Sequence, residues 1–246
     1  MITKKIFIAV LILAGLITIT QEARTQSDKF KGPKNLGKVD YKIIDEASGM
    51  AASKKNKNVL WVHNDDSSEA KVYAINTSAK IVAIYVLNIK QGRDWEDIAT
   101  GPGPEPDCDY IYLGDIGDNL RQYEIKYIYR FKEPKVSENQ RLKIDTIKVF
   151  DKIAFTLPTK KVYDMETLMI DPLTKDLYVI SKRLKNEEVY KIAYPQLLHK
   201  VNVAELICQV PYGYEGFEGS GVTGGDISAD GLEILIKTYA KVYYYK

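Results

Sequence analysis

A short apolar element with tyrosine in second place recurs four times along the chain: Val72-Tyr73-Ala74-Ile75, Ile128-Tyr129-Arg130-Phe131, Val189-Tyr190-Lys191-Ile192 and Val242-Tyr243-Tyr244-Tyr245. The four tyrosines are 56, 61 and 53 residues apart. A period of this size marks a repeat architecture, in which each unit buries its apolar face on the next. Upstream of each element stands a second apolar run: Leu60-Trp61-Val62, Ile111-Tyr112-Leu113, Leu177-Tyr178-Val179 and Ile234-Leu235-Ile236. Further upstream are weaker runs that end in turn chemistry: SGMAAS before KKNKN, EDIATG before PGPEPD, ETLMID before PLTKD, and GDISA before DG. A fourth run follows in three units, at Ile81 to Leu87, Ile153 to Leu157 and Val201 to Ile207.

Each unit therefore reads strand, turn, strand, loop, strand, loop, strand. The apolar runs are short, rich in β-branched and aromatic residues, and broken by Pro, Gly, Asn and Asp. Tyrosine supplies 18 of the aromatics against 6 Phe and 2 Trp, which suits pleated, half-buried surfaces. The pattern predicts an all-β fold: a β-propeller of four-stranded antiparallel blades, with four repeat units near 45–90, 92–160, 162–210 and 220–246. A β-sandwich does not repeat its turn chemistry at this period. The last unit lacks a fourth run, and a spare strand, Val39 to Ile44, precedes the first unit. Two closures follow: a four-bladed ring completed by that N-terminal strand, or part of a five- or six-bladed ring.

The first 26 residues read as an address. Lys4 and Lys5 precede the uncharged run Ile6 to Ile19, and polar TQEARTQ follows. This is the layout of a secretory signal, and its 14 apolar residues fall short of the ~20 of a spanning helix. The expectation is a secreted or periplasmic chain, with a propeller over 27–246 and no membrane contact after cleavage; an uncleaved anchor is the alternative. Without residues 1–26, basic and acidic residues are equal in number. No basic stripe with interleaved aromatics is present, so nucleic acid is not an expected partner. Export permits a disulfide between Cys108 and Cys208, but spacing alone does not bring them together.

The first strand of each blade lines the central channel. With Met50, Ile98, Leu168 and Ile227 aligned, Ser48, Glu96 with Asp97, Glu166, and Asp226 stand just before them. Three blades thus offer a carboxylate at one level. Converging carboxylates ionise together only beside cations, and all-oxygen donors suit Ca²⁺, whereas two His and two Cys in the whole chain do not suit zinc or copper. The metal-free alternative pairs these acids with Lys182, Arg183 and Lys237. The run Gly114-Asp115-Ile116-Gly117-Asp118-Asn119 is either a tight turn capped by its own side chains or a ligand loop, with Asp115 as a further metal candidate. His63 and Asp115 are the two candidate general bases. The Gly-rich run Gly213 to Gly221 reads as a loop near the channel mouth.

SGMAAS…VLWVHND, DWEDIATGPGP…DYIYLGDIGDN, YDMETLMIDPLTKDLYVISKR and GGDISADGLEILIKTY together resemble a family of uncharacterised exported bacterial β-propellers, grouped by fold with TolB-like six-bladed propellers. The resemblance covers residues 45–246. It implies a further blade beyond GGDISADG, and hence a ring incomplete at the C-terminus. That fold group includes calcium-dependent phosphotriesterases and gluconolactonases, so it implies a channel metal on Glu96, Glu166 and Asp226. Two functions follow. One is a binding or scaffold module that presents a polar channel to a protein, glycan or small-molecule ligand. The other is a calcium-dependent hydrolase of esters, lactones or phosphoesters.

Overall fold

A computed structural model of the chain describes residues 30, 34–65, 70–90, 92–212 and 221–246. The address at 1–26 and the loop 213–220 lie outside the described residues. The rest is a β-propeller of four blades, and among the described residues the only helix is one 3-10 turn, Pro158–Lys160.

Blade one is formed by β1 (Ala47–Ala52), β2 (Val59–Asn64), β3 (Lys71–Asn76) and β4 (Ile81–Leu87). Blade two takes β5 (Trp95–Pro102), β6 (Asp109–Asp115), β7 (Lys126–Lys132) and β9 (Asp151–Thr156). Blade three takes β10 (Asp164–Ile170), β11 (Leu177–Lys182), β12 (Glu187–Ile192) and β14 (Glu205–Val210). Blade four has β15 (Val222–Ile227), β16 (Ile234–Thr238) and β17 (Val242–Tyr245). Two further strands cross between blades. β8 (Lys143–Ile147), from the chain of blade two, pairs parallel with β4, and β13 (Asn202–Val203), from the chain of blade three, pairs parallel with β9.

Turn side chains fix the strand ends. Asn76 Oδ1 accepts the N–H groups of Ser78 and Lys80, and Asp171 Oδ1 accepts that of Leu173. These are local bonds of the kind that make Asn and Asp favour turns.

The core lies between blades. On β6, Ile111 and Leu113 pack towards blade one while Tyr110 and Tyr112 pack towards blade three. On β11, Leu177 and Val179 face blade two, and Tyr178 and Ile180 face blade four. Central strands buried on both faces need apolar residues at successive positions, which is why these runs lack polar alternation.

Two sequence expectations are corrected. Val39 to Ile44 is a turn, with Ile43 and Ile44 N–H donating to Asp40 C=O. Its Val39, Ile43 and Ile44 cover the outer side of blade one over Val62 and Tyr73, so it does not complete blade four. Val201 to Ile207 is not one strand either. Asn202 Nδ2 donates to Ala154 C=O and draws β13 onto blade two, and the chain then restarts as β14.

Candidate functional site

Every inner strand carries the same irregularity. The register breaks between Ala47 and Met50 on β1, Trp95 and Asp97 on β5, Met165 and Thr167 on β10, and Val222 and Gly224 on β15. A β-bulge places one extra residue against a single partner and re-aims its side chain. The residues at these bulges, Ser48, Glu96, Glu166 and Thr223, line one cavity of about 490 Å³ together with Lys182 and Tyr239. They come from four blades because the inner strands pack side by side, and Ser48 Oγ donates to Glu96 C=O across the first of those contacts (2.9 Å).

Glu96 is the hub of the acids. Ligand oxygens of Asp65, Asp94 and Glu96 lie within 4.8 Å of one another, and so do those of Glu96, Asp164 and Glu166. Asp164 accepts the Asp118 N–H (2.8 Å) and Arg183 Nε (3.0 Å), and Glu166 accepts Lys182 Nζ, which also meets Tyr239 Oη at 3.1 Å. Burial, then Glu166, Asp94 and Asp65, push the Glu96 carboxyl far above the usual carboxylate range, and it hydrogen-bonds Glu166. Burial and the charges of Asp65, Asp164 and Asp115 raise Asp94 to about 6.

The GDIGDN run builds the floor of this site. Asp115 is buried and accepts the N–H groups of Arg93 (3.0 Å) and Asp94 (2.9 Å), while Asp94 C=O accepts those of Ile116 and Gly117 (both 3.1 Å). Asp118 accepts Gln122 and Tyr123 N–H and pairs with buried Lys126 at 3.4 Å. A larger residue at Gly117 would have to displace two carboxylates. A Cβ there falls 2.3 Å from Glu96 Oε1 and 2.5 Å from Asp94 Cγ. The run is thus a turn that holds the backbone at Asp94, and the Asp115 carboxylate is turned to backbone.

Of the other candidates, Asp226 is not brought to this level. Its strand register equates Gly225, not Ile227, with Ile98 and Leu168. Asp226 therefore stands three residues beyond the bulge, about 10 Å along the strand, exposed and within the influence of Lys54. Gly225 has no side chain because Met169 Sδ and Thr167 Cγ2 already lie 2.9 and 3.0 Å from where its Cβ falls. Lys237 meets Thr223 Oγ1 at 2.7 Å rather than an acid of the cluster. His63 is fully buried, its Nδ1 on Asn64 C=O (2.9 Å) and its ring edge-on to Trp95, and burial lowers it to about 4. Gly49 leaves the space that its Nε2 occupies. Cys108 and Cys208 are both unbonded.

Asp97, beside Glu96, has a different task. Fully enclosed, it accepts the N–H groups of Ile98 (2.9 Å), of Leu168 on β10 (2.9 Å) and of Gly225 on β15. One carboxyl thereby links the inner strands of three blades. Asp97→Ala leaves two interstrand N–H donors without a partner, and we expect a cost of about 2–4 kcal/mol. Urea unfolding measures it; a midpoint unchanged from the parent rules out this linking role.

No family model matches the chain, and no curated protein matches it. Similar solved structures are propellers or contain them. The Dos1 propeller aligns at TM-score 0.42 and 13 % identity, over 77 % of this chain and 42 % of that one. The β-propeller domain of Myceliophteria thermophila Cps50 (Swd1) aligns at 0.42 and 6 % identity, over 81 % and 53 %. Kuenenia stuttgartiensis hydrazine synthase aligns at 0.43 and 13 % identity, over 80 % and 57 %. The chain spans about half the length of the solved chains it matches. The likeness is one of fold.

Proposed function

We propose that the chain is an exported binding module whose polar channel mouth takes a hard divalent cation, Ca²⁺, on Asp65, Asp94 and Glu96. Through that mouth it engages a protein, glycan or small-molecule ligand. The observation that carries this reading is the repeated bulge, which sets Glu96 among carboxylates whose oxygens all lie within 4.8 Å. Oxygens on one Ca²⁺ at roughly 2.3–2.6 Å have separations of this order. The donor set is hard and all-oxygen, and the Asp94 and Glu96 carboxyls are raised first by burial and then by neighbouring acids, a field that a bound cation would offset. The proposed ligand set keeps Glu96 from the sequence reading and adds Asp65 and Asp94, whose ligand oxygens lie within 4.8 Å of it and of each other. Lys182, Arg183 and Tyr239 on the same mouth supply donors for an anionic or hydroxylated ligand. The hydrolase reading lacks a comparable observation. His63 is turned into the core, and Asp115 is engaged with backbone N–H groups.

A thermal melt of the purified chain in EDTA and then in millimolar Ca²⁺ tests the reading. Saturation at about 100 times Kd stabilises by about 2.7 kcal/mol, or a rise of roughly 5–10 °C for a chain of this size. Glu96→Gln and Asp94→Asn abolish the rise, while Asp226→Asn keeps it. No shift with Ca²⁺ in the parent chain refutes the cation site.

A further inference from the structure

The cavity at the channel mouth has a wall built by blade four. Thr223 at the β15 bulge, Lys237 on β16 and Tyr239 just beyond it all line the space. Lys237 Nζ donates to Thr223 Oγ1 at 2.7 Å, so the ammonium has a neutral partner there. The Tyr239 hydroxyl meets Lys182 Nζ at 3.1 Å, which anchors the side chain while the residue stays 55 % exposed. The volume of about 490 Å³ falls in the range of small-ligand pockets.

Charge sorts by wall. On blade three Glu166 takes Lys182, and Asp164 takes Arg183 Nε (3.0 Å). The acids Asp65, Asp94 and Glu96 belong to the proposed cation, and Glu46 stands on their side, its C=O accepting the Asp65 N–H (2.8 Å). The charge on the blade-four wall is the positive one of Lys237. Ca²⁺ takes about six to eight oxygens, so three carboxylates bound through one oxygen each leave roughly three to five positions for oxygens from outside. Asp65 and Glu96 line the cavity, so a ligand held in it can supply those oxygens.

The lining also selects the kind of ligand. Peptide anchors are large apolar or aromatic side chains seated in apolar pockets. Among the residues lining this cavity, only Ala47 and the ring of Tyr239 are apolar. A sugar matches such a wall, with hydroxyls for the polar groups and the apolar face of its ring for the body of the tyrosine. We infer that the channel mouth binds a uronate residue of an acidic polysaccharide, with its hydroxyl oxygens on the bound Ca²⁺, its carboxylate on Lys237 and its ring on Tyr239. This rests on the cation reading above, because without the cation the Asp65 side of the cavity repels an acidic ligand.

The probes are trimers of galacturonate, guluronate and mannuronate, titrated into the purified chain by calorimetry in millimolar Ca²⁺ and again in EDTA. At least one trimer is expected to bind in Ca²⁺ and none in EDTA. Galactotriose, which has no carboxylate, should bind about tenfold more weakly. Lys237→Met keeps the stem and removes the charge. It should lower the uronate trimer to the affinity of galactotriose and leave galactotriose unchanged, whereas a merely structural role weakens both. Tyr239→Ala should weaken both sugars about tenfold, with circular dichroism of each variant as in the parent. A Ca²⁺-induced rise in melting temperature without binding of any uronate trimer overturns this inference and leaves the cation site standing. Equal binding of galactotriose, equal binding in EDTA, or tighter binding of triglutamate also overturns it, the last by assigning the mouth to an acidic peptide. If Ca²⁺ produces no rise and no trimer binds, the cation reading itself has failed and this inference falls with it.

Discussion

Glu133→Ala should be among the most destabilising single changes in the protein, at about 4 kcal/mol, although Glu133 lies far from the channel mouth. The residue follows β7 and is only 1 % exposed. Its carboxylate accepts Trp61 Nε1 (2.7 Å), Asn56 Nδ2 (3.3 Å), the Lys55 N–H (3.2 Å) and Ser53 Oγ. Its own C=O accepts Lys55 Nζ (3.2 Å). Asn56 extends the network, donating to Pro134 C=O and accepting the Val136 N–H (both 2.9 Å). One side chain of blade two thus holds the β1–β2 turn of blade one and the indole of a fully buried tryptophan. Removing it leaves several donors unsatisfied, each costing about 1–3 kcal/mol, offset in part by relaxation of the surface-proximal Lys55. Glu133→Gln retains an acceptor oxygen and should lose less than half as much. Urea midpoints at constant slope measure both. A loss below about 1 kcal/mol in Glu133→Ala shows that the donors find other partners.

Glu133 also marks the boundary of what the sequence discloses. The blades were legible because their signal is periodic: a tyrosine element and its upstream strand recur, and turn residues close each unit. The pairing partners of β8 and β13 were not, because a strand that crosses to a neighbouring blade has the same local chemistry as one that stays home. The segment Val39 to Ile44 reads as a strand for the same reason, yet its apolar residues cover blade one from a turn. At the site, Glu96 and Glu166 were legible from alignment of the inner strands. Asp226 was misplaced by two residues because the inner position of blade four is Gly225, where packing against Met169 removed the apolar marker that the alignment needed. Asp94 was missed since it lies on no inner strand, and Asp65, which follows β2, stood among the polar residues near the channel without being set among the metal candidates. One signal near Asp94 was present: Gly117 of GDIGDN leaves room for the carboxylates of Glu96 and Asp94.

The second large effect is one of pH. Glu187 opens β12 with its side chain fully buried. Burial raises its carboxyl to about 7, against the hydrogen bonds from Ser181 Oγ (2.8 Å) and the Leu184 N–H (3.3 Å) that favour the charged form. In the unfolded chain the group titrates near 4.5. Between these values the folded state holds a proton that the unfolded state has released, so stability falls as pH rises. The contribution is complete below about 4.5 and lost once pH passes about 7. After allowance for solvent screening, the loss is about 2 kcal/mol. Glu187→Gln resembles the protonated acid in shape and cannot ionise. It should match the parent at pH 4.5 and exceed it by about 2 kcal/mol at pH 8. Glu187 is not among the proposed Ca²⁺ ligands, so EDTA should leave this difference unchanged, which separates it from the cation effect at Asp94 and Glu96. Parallel urea titrations at the two pH values decide the matter: equal gaps between parent and variant at both mean that Glu187 does not titrate in this window.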